Sequence, residues 1–449
     1  MCWLVALGWM RSWPILRLAV MALGLCVVTA AAVVLHFRLG GWVLIGAYAI
    51  AAGCAFAAGR AVIPAHHKAA LAIVLIGAAG MRAMLLFSEP TLSSDIYRYI
   101  WDGRVEAAGI NPYRYVPAAG ELTRLRDPSV WVHINRADYA VTLYPPGAQV
   151  LFLALTRIGE SVLAIKIGLV LFEAAGIAAM IALLRQLGQP MTGVAAYAWH
   201  PLPVWEVAGN GHVDAAMLAL LLGGLLVYVR GRALLAGVLI ALGALIKPLA
   251  ALALPVLWRP WDWRLPLCVA ATIMLAYVPY LSVGWGVFGF VAGYVEEEGI
   301  ASGTGLKPLW LLQQATGPLP HAAAAYLAAA LAVLAAMALA IGFRSDRDRT
   351  PQASLRATNW MLVAFLVLIS PNYPWYFVGL VPFLALAPTA SAWVMTSASV
   401  LFYDVVPGDA LPSYEARIAV FTMAVLGAFA CDLWQERRRV TTLAIGETT

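Results

Sequence analysis

Charged residues are scarce in this chain, and so are cysteines. Asp, Glu, Lys and Arg make up 12% of its 449 residues, about half the share found in soluble globular domains. This scarcity excludes a water-soluble enzyme. The five cysteines are odd in number, far apart and mostly inside apolar runs, so they indicate neither a disulfide framework nor a thiolate metal site.

Motifs for soluble nucleotide chemistry are also missing. The sequence has no P-loop, dinucleotide-binding fingerprint, HExxH or nucleophile elbow in a suitable context. The net charge of +6 comes from basic residues in short loops rather than from a dense cluster, so nothing indicates a nucleic-acid partner.

Apolar segments of about 20 residues, long enough to cross a bilayer, fill most of the chain. Hydrophobic residues make up 63%, and the mean hydropathy is +0.83. We predict an all-α polytopic membrane protein in which residues 1–449 form a single transmembrane domain of about 12–14 transmembrane helices. The candidate spans are 15–36, 41–62, 69–87, 162–184, 191–208, 212–229, 233–247, 248–258, 265–283, 321–343, 357–370, 375–388, 391–405 and 416–434.

The placement of basic residues predicts the orientation of these spans. The arginine-bearing loops fall on one side if both termini are cytoplasmic. The opposite side then receives two long segments, 88–161 and 284–320. We predict that 88–161 is an extracytoplasmic catalytic loop with juxtamembrane helices, since long loops in compact proteins are usually functional, and that 284–320 is a second extracytoplasmic loop.

The first group of candidate functional residues lies in the catalytic loop. If this part is helical, Asp95, either Arg98 or Tyr99, and Asp102 lie on one face, and a partly desolvated carboxylate there can accept a proton from a hydroxyl. In the alternative, Asp95 caps a helix and Asp102 pairs with Arg98 or Arg104. The sequence leaves both interpretations open.

A second group, Glu206, Asn210, His212 and Asp214, stands between two apolar segments. Polar groups inside a membrane are costly, and their default interpretation is functional. They could hydrogen-bond a polyol or orient another site residue. Their spacing matches no metal motif, so we favour sugar binding over metal binding.

The remaining candidates are cations and aromatic rings. Lys247 and Lys307 are predicted to bind a lipid-linked phosphate, whereas pairing with an internal acid is the alternative, which we favour for Arg82. Tyr373 and Tyr376 belong to an aromatic turn that either anchors the chain at the interface or packs on sugars and isoprenoid chains.

These motifs together resemble a known family. The run DIYRYIWDGR at 95–104 and the motifs after it are similar to the first extracytoplasmic loop of GT-C superfamily glycosyltransferases, in particular the polyprenyl-phosphate-mannose-dependent mannosyltransferases, which include bacterial enzymes and the GPI mannosyltransferase I group. The later motifs are GINPY at 109–113, YPP at 144–146, GNGHVD at 209–214, KP at 247–248 and PNYPWY at 371–376.

The resemblance implies a GT-C-type fold whose cavity faces the periplasm or lumen. It also implies inverting transfer of a sugar from a lipid phosphate, with an acidic residue of the first loop as catalytic base, which corresponds to Asp95. Two extra predicted spans precede this loop, and 284–320 carries no matching motif.

We therefore expect a glycosyltransferase that moves a hexose, with mannose favoured by the resemblance alone. The expected donor is a polyprenyl-phosphate-linked sugar, and the acceptor is a glycolipid, glycan or protein. No cofactor is indicated with certainty, and a divalent metal stays open. We expect the protein to contact membrane lipid in a bacterial inner membrane, with its site facing the periplasm. The residues expected to bind substrate are Tyr97, Arg98, Asp102, Arg104, Asn210, His212, Asp214, Tyr373 and Tyr376, with Lys247 and Lys307 on the donor phosphate.

A transporter or lipid flippase is the alternative, since about twelve spans with internal charges also describe carriers. Carriers place their main polar groups near the midplane, whereas here these groups gather at one side, beside a long outer loop.

Overall fold

The computed structural model describes residues 14–61, 67–319, 321–403 and 411–446. The chain is 76% helical, and the described residues contain no strand, which confirms an all-α polytopic membrane protein. Within the described ranges, eight helices are long and apolar enough to cross a membrane, and six shorter apolar helical segments accompany them.

Within residues 14–86, as far as they are described, three spans precede the outer loop, as predicted. They are α1 (Pro14–Leu39), α2 (Gly41–Gly59) and α3 (His67–Leu86). A Cβ added at Gly77 in α3 would lie 2.9 Å from the Cβ of Ala22 in α1, so these two helices pack through small residues, as membrane helices commonly do. Residue 62, where the second predicted span ends, lies outside the described residues.

The first outer loop is built on two short helices, α4 (Asp95–Ala107) and α5 (Pro146–Ile158). Residues 96–103 of α4 are all buried. A Cβ at Gly103 would meet the Phe152 carbonyl oxygen at 2.5 Å, so only glycine permits this close approach of α5. At 13 residues, α5 is too short to span a bilayer.

The segment after α6 (Val162–Gln186) differs from the prediction of one span over 191–208. It consists of short 3₁₀, α and π-helical pieces that end at Gly209, and α7 (Asp214–Val229) follows. Pro201 and Pro203 lack the backbone N–H that a continuous helix needs. The last piece is a π-helical turn, a conformation often found at functional positions.

α8 (Ala233–Ala244) and α9 (Pro248–Leu257) are separated by a break, at the boundary predicted between the spans 233–247 and 248–258. The Lys247 backbone is extended there, with φ −142° and ψ 126°. Next come α10 (Arg264–Tyr277), a 3₁₀ stretch and then α11 and α12 of the second outer loop. The last two cover Val291–Glu297 and Lys307–Thr316.

The helices described after residue 321 are α13 (Ala322–Gly342), α14 (Pro351–Ile369), α15 (Pro374–Leu386), α16 (Ala390–Phe402) and α17 (Tyr414–Gly446). α14 begins six residues before its predicted start at 357. The Thr350 hydroxyl caps it by accepting a hydrogen bond from the Ala353 N–H, and proline is favoured in the first turn. Residues 404 and 405 of the predicted span 391–405 lie outside the described residues.

An ion pair stabilises the interior between α3 and α6. Two guanidinium nitrogens of Arg82 donate to the two carboxylate oxygens of Glu173, each at 2.7 Å. Both side chains are buried, and a charge in this position requires such a partner. Arg82 therefore pairs with an internal acid, which is the interpretation favoured for it from the sequence.

Candidate functional site

A cavity of about 700 Å³ lies where the two outer loops meet the ends of the membrane helices. α4, α7, α11, the break before α9 and the turn before α15 contribute to its wall. The polar, tyrosine and tryptophan side chains that line it are Ser93, Ser94, Asp95, Arg98, Asn135, Arg136, Tyr144, Asp214, Lys247, Tyr294, Tyr373, Trp375 and Tyr376. The structure thus brings together six of the predicted site residues: Asp95, Arg98, Asp214, Lys247, Tyr373 and Tyr376.

The rest of the cavity wall is apolar. It consists of side chains from the first loop, the α8–α9 break, the second loop and α14, among them Val141, Leu143, Ile246, Leu249, Phe290, Val295 and Phe365. The cavity therefore joins charged groups to a surface suited to hydrocarbon, as ligand sites with an apolar lining and few fixed polar groups do.

Asp95 is oriented by two neutral donors. Asn135 Nδ2 donates to its Oδ1 at 3.0 Å, and the Tyr144 hydroxyl donates to its Oδ2 at 3.3 Å. Asp95 begins α4, but its side chain bonds to these residues instead of capping the helix. It forms no ion pair within the part of the chain that the structure describes. Its carboxylate is held in place without a cation on it.

Asp102 lies behind the cavity wall. It is 2% exposed, and Arg98 Nε donates to its Oδ1 at 2.9 Å. The Thr142 hydroxyl donates to the other oxygen at 2.5 Å. This is the pairing with Arg98 that the sequence left open. It fixes the Arg98 guanidinium, which does line the cavity.

Lys247 and Asp214 form an ion pair in the cavity wall. Lys247 Nζ lies 2.6 Å from Asp214 Oδ2, and 5.0 Å from the centre of the Tyr376 ring. Asp214 Oδ1 is buried and has no hydrogen-bond partner among the described residues. Lys247 thus pairs with an internal acid, which was the alternative given for it from the sequence. Its side chain nevertheless reaches the cavity.

Stacked aromatic rings form one side of the cavity. Tyr373 and Trp375 stack with ring centres 4.5 Å apart, and His212 stacks on the other side of Trp375 at 4.3 Å. The hydroxyls of Tyr376 and Tyr294 are 2.6 Å apart. The aromatic turn is therefore packed into the protein and faces the cavity.

Lys307 does not line the cavity. Its Nζ donates to the carbonyls of Ser370 and Pro371 at 2.6 and 2.9 Å, and to Asn372 Oδ1 at 2.8 Å. Burial lowers the pKa of Lys307 to about 7, although the Glu298 carboxylate acts in the opposite direction. The structure thus places Lys307 under the aromatic turn, which it holds from behind.

Asn210 and His212 also lie behind the wall, in a buried cluster with Glu206. Asn210 Nδ2 donates to Glu206 Oε2 at 3.1 Å, and the Leu92 N–H donates to Asn210 Oδ1 at 3.1 Å. The Tyr403 hydroxyl donates to the other Glu206 oxygen. This cluster ties the start of the first outer loop to the membrane helices.

Tyr97 and Arg104 point away from the cavity. The Tyr97 ring stacks on His133 at 4.4 Å in a separate groove. Arg104 pairs with Asp127 and, at 2.8 Å, with Glu160. The structure therefore separates these two predicted substrate-binding residues from Asp95.

Sequence reasoning missed Asn135, Arg136 and Tyr294. Arg136 Nε donates to Glu297 Oε2 at 2.6 Å, and the Tyr139 hydroxyl donates to the other oxygen at 2.8 Å, so these bonds join the two outer loops across the cavity edge. The adjacent polar pair Asn135-Arg136 between Ile134 and Ala137 was the available signal. Among the described residues, no group of three or more His, Cys, Asp or Glu side chains could hold a metal ion.

Comparisons with known proteins agree with the sequence motifs. Residues 4–262 match a family described as alpha-(1->6)-mannopyranosyltransferase, N-terminal domain. The chain is also 25% identical, over 342 residues, to alpha-(1->6)-mannopyranosyltransferase A of Mycobacterium tuberculosis. That match covers 69% of this chain and 64% of the relative's length. No solved structure matches the chain.

Proposed function

Because this chain belongs to the family of alpha-(1->6)-mannopyranosyltransferases whose N-terminal domain it matches, we propose that it transfers a mannosyl group from a polyprenyl-phosphate donor to an acceptor hydroxyl. One observation carries the proposal: Asp95 stands at the cavity as a carboxylate that two neutral donors orient and that pairs with no cation among the described residues. A base for a hydroxyl proton needs both a fixed position and an available oxygen.

The reaction follows from this placement. An Asp95 carboxylate oxygen takes the proton of the acceptor hydroxyl, while the hydroxyl oxygen attacks the anomeric carbon of the donor sugar. The bond between that carbon and the phosphate oxygen breaks, and its electron pair leaves with polyprenyl phosphate. A single displacement of this kind inverts the configuration at the anomeric carbon. The protonated Asp95 then releases its proton to water.

Cations at the cavity suit the leaving phosphate. Lys247, Arg98 and Arg136 line it, and each has a carboxylate partner that fixes its position. Negative charge grows on the leaving phosphate in the transition state, and fixed cations stabilise it without reorganising. We assign the first contact with phosphate to Lys247, because it lies beside the apolar surface formed by Ile246 and Leu249.

The apolar wall suits the isoprenoid chain. A donor held by its hydrocarbon tail needs no nucleotide site, which is in line with the missing nucleotide motifs. Family membership also favours transfer over the carrier alternative. We also propose that the protein lies in a bacterial inner membrane with its site facing the periplasm. The acceptor is a glycolipid, glycan or protein.

Donor choice tests this proposal. Purified protein in detergent is given either labelled polyprenyl-phosphate mannose or labelled GDP-mannose, with a membrane lipid extract as acceptor. We expect label in the acceptor from the lipid donor only. NMR of the product should show the anomeric configuration opposite to that of the donor. Equal transfer from GDP-mannose, or retained configuration, would contradict the proposal.

A further inference from the structure

A second concavity, of about 930 Å³, lies on the other side of the first turn of α4. Its polar lining includes Glu89, Tyr97, Ser129, His133, Glu160 and Ser161. We call it the outer groove. The reaction proposed above uses none of these side chains.

The outer groove and the cavity share one thin wall. Leu92, Ser93 and Ser94 line both, and Asp95 is the next residue. Tyr97 lies on the groove side of α4, while Asp95 and Arg98 lie on the cavity side. The end of an extended ligand in the groove would therefore lie next to Asp95, the proposed base.

Charge separates the two spaces. Of the residues that the structure describes, no lysine or arginine lines the outer groove, whereas two glutamates do. The cavity is lined by three cations, Arg98, Arg136 and Lys247, against two carboxylates, Asp95 and Asp214. A phosphate is attracted to the cavity and repelled by the groove. The groove therefore suits a neutral ligand.

The groups in the groove suit a ligand with many hydroxyls. The Tyr97 and His133 rings are stacked 4.4 Å apart, at an interplanar angle of 27°, so buried Tyr97 supports the exposed His133 ring, whose outer face is available to the apolar face of a sugar ring. Arg104 holds the Glu160 carboxylate in place at 2.8 Å. The Ser161 oxygen accepts the Ala164 N–H, which leaves its hydroxyl hydrogen to donate. Carboxylates accept and hydroxyls donate, and sugar hydroxyls match both.

From this arrangement we propose that the outer groove binds the inner sugar units of a neutral glycan acceptor, whose terminal unit crosses the 92–94 wall to Asp95. This proposal rests on the proposed function and extends it, because it assigns the acceptor to a place apart from the donor phosphate. It predicts that acceptor affinity increases with glycan length.

Direct binding tests the groove without any turnover. The probe is α-(1→6)-linked mannotetraose, titrated into the full-length protein in detergent with no donor present. Glu89→Gln and His133→Ala change exposed side chains, so folding is not at risk, and Tyr97→Phe removes only the hydroxyl of a buried ring. We expect each change to weaken binding about tenfold. Glu121→Gln, which removes an exposed charge of the same loop outside the groove, should leave binding unchanged.

Transfer kinetics give a second measurement. With mannotetraose as acceptor, the variants should raise the acceptor KM about tenfold and leave kcat and the donor KM as in wild type. With an octyl mannoside, which has one sugar unit, all proteins should have the same acceptor KM.

The outcomes separate the two proposals. If the variants bind mannotetraose more weakly but wild type shows no transfer, the proposed function is wrong and the proposed role of the groove stands. If wild type transfers mannose but wild type and the variants bind mannotetraose with equal affinity, the proposed role of the groove is wrong and the proposed function stands. Failure of wild type to bind mannotetraose would also contradict the groove.

Discussion

Lys247 Nζ lies 2.6 Å from Asp214 Oδ2, and this pair joins the beginning of α7 to the break between α8 and α9. The Asp214 side chain is fully buried, whereas that of Lys247 is 13% exposed. The carboxylate thus stands behind an ammonium group that reaches the cavity. In the proposed reaction this ammonium group, beside the apolar wall, binds the donor phosphate.

We predict that either single change in this pair destabilises the protein. Asp214→Asn or Lys247→Met leaves the other charge without its partner, which typically costs about 3 kcal/mol or more. The double variant removes both charges and should recover most of the Tm in detergent. Donor binding, measured with labelled polyprenyl-phosphate mannose, should stay lost in the double variant because the cation is absent. A double variant that binds donor like wild type would refute the phosphate role of Lys247.

Arg136 and Glu297 offer a test of how the two outer loops act together. Their ion pair is partly exposed, so its loss should cost about 1 kcal/mol or less. If the pair serves to hold the loops, Arg136→Gln and Glu297→Gln raise the donor KM equally, and the double variant is no worse than either. A larger effect of Arg136→Gln alone would show that Arg136 contacts the phosphate itself. The double-mutant cycle on donor KM distinguishes these results.

Asn210→Ala should lower stability and not substrate affinity. The change removes the acceptor of the Leu92 N–H and a donor to Glu206, and leaving these groups unpaired costs about 2 kcal/mol. We expect a lower Tm with an unchanged donor KM. Asn135→Ala is the matched control, since Asn135 orients Asp95, and it should lower kcat with little change in Tm. A raised donor KM without loss of Tm in Asn210→Ala would restore the sequence interpretation of direct sugar binding.

Because of Lys307, we expect the stability of the protein to depend on pH. Its pKa is about 7 in the folded protein and 10.5 ordinarily, so between these values the folded state binds fewer protons than the unfolded chain. Stability from this group therefore rises with pH from about 7 to 10.5. Thermal unfolding at pH 7 and pH 9.5 should show this rise in wild type and in the exposed control Lys68→Met. Lys307→Met should lack it, and parallel curves for all three proteins would contradict the assignment.

Local features of the sequence were sufficient for most of the fold. Apolar runs predicted the spans, because a helix that crosses a bilayer needs an unbroken apolar segment. The break at Lys247-Pro248 was also predictable, since proline acts on the residues next to it. The short pieces over 191–209 were not predicted, because the segment is apolar enough for a span although its prolines divide it.

The site was predictable only in part, because its contacts join distant residues. Asp95, Lys247 and the aromatic turn stand in recognisable motifs. Arg136 meets Glu297 across 161 positions, and Lys307 meets the Ser370 carbonyl across 63. No local pattern marks a backbone carbonyl as the partner of a lysine, so Lys307 was predicted at the phosphate and the structure places it under the aromatic turn.

The rate of mannosyl transfer by Asp95→Asn tests most directly whether Asp95 is the base. Wild type, Asp95→Asn and the exposed control Asp138→Asn of the same loop are purified and given synthetic polyprenyl-phosphate mannose with a membrane lipid extract as acceptor. We expect Asp95→Asn to lose about 10²- to 10⁴-fold in kcat, the usual contribution of a positioned base, while donor binding and the activity of the control remain. An Asp95→Asn variant that transfers mannose at the wild-type rate would contradict the central claim.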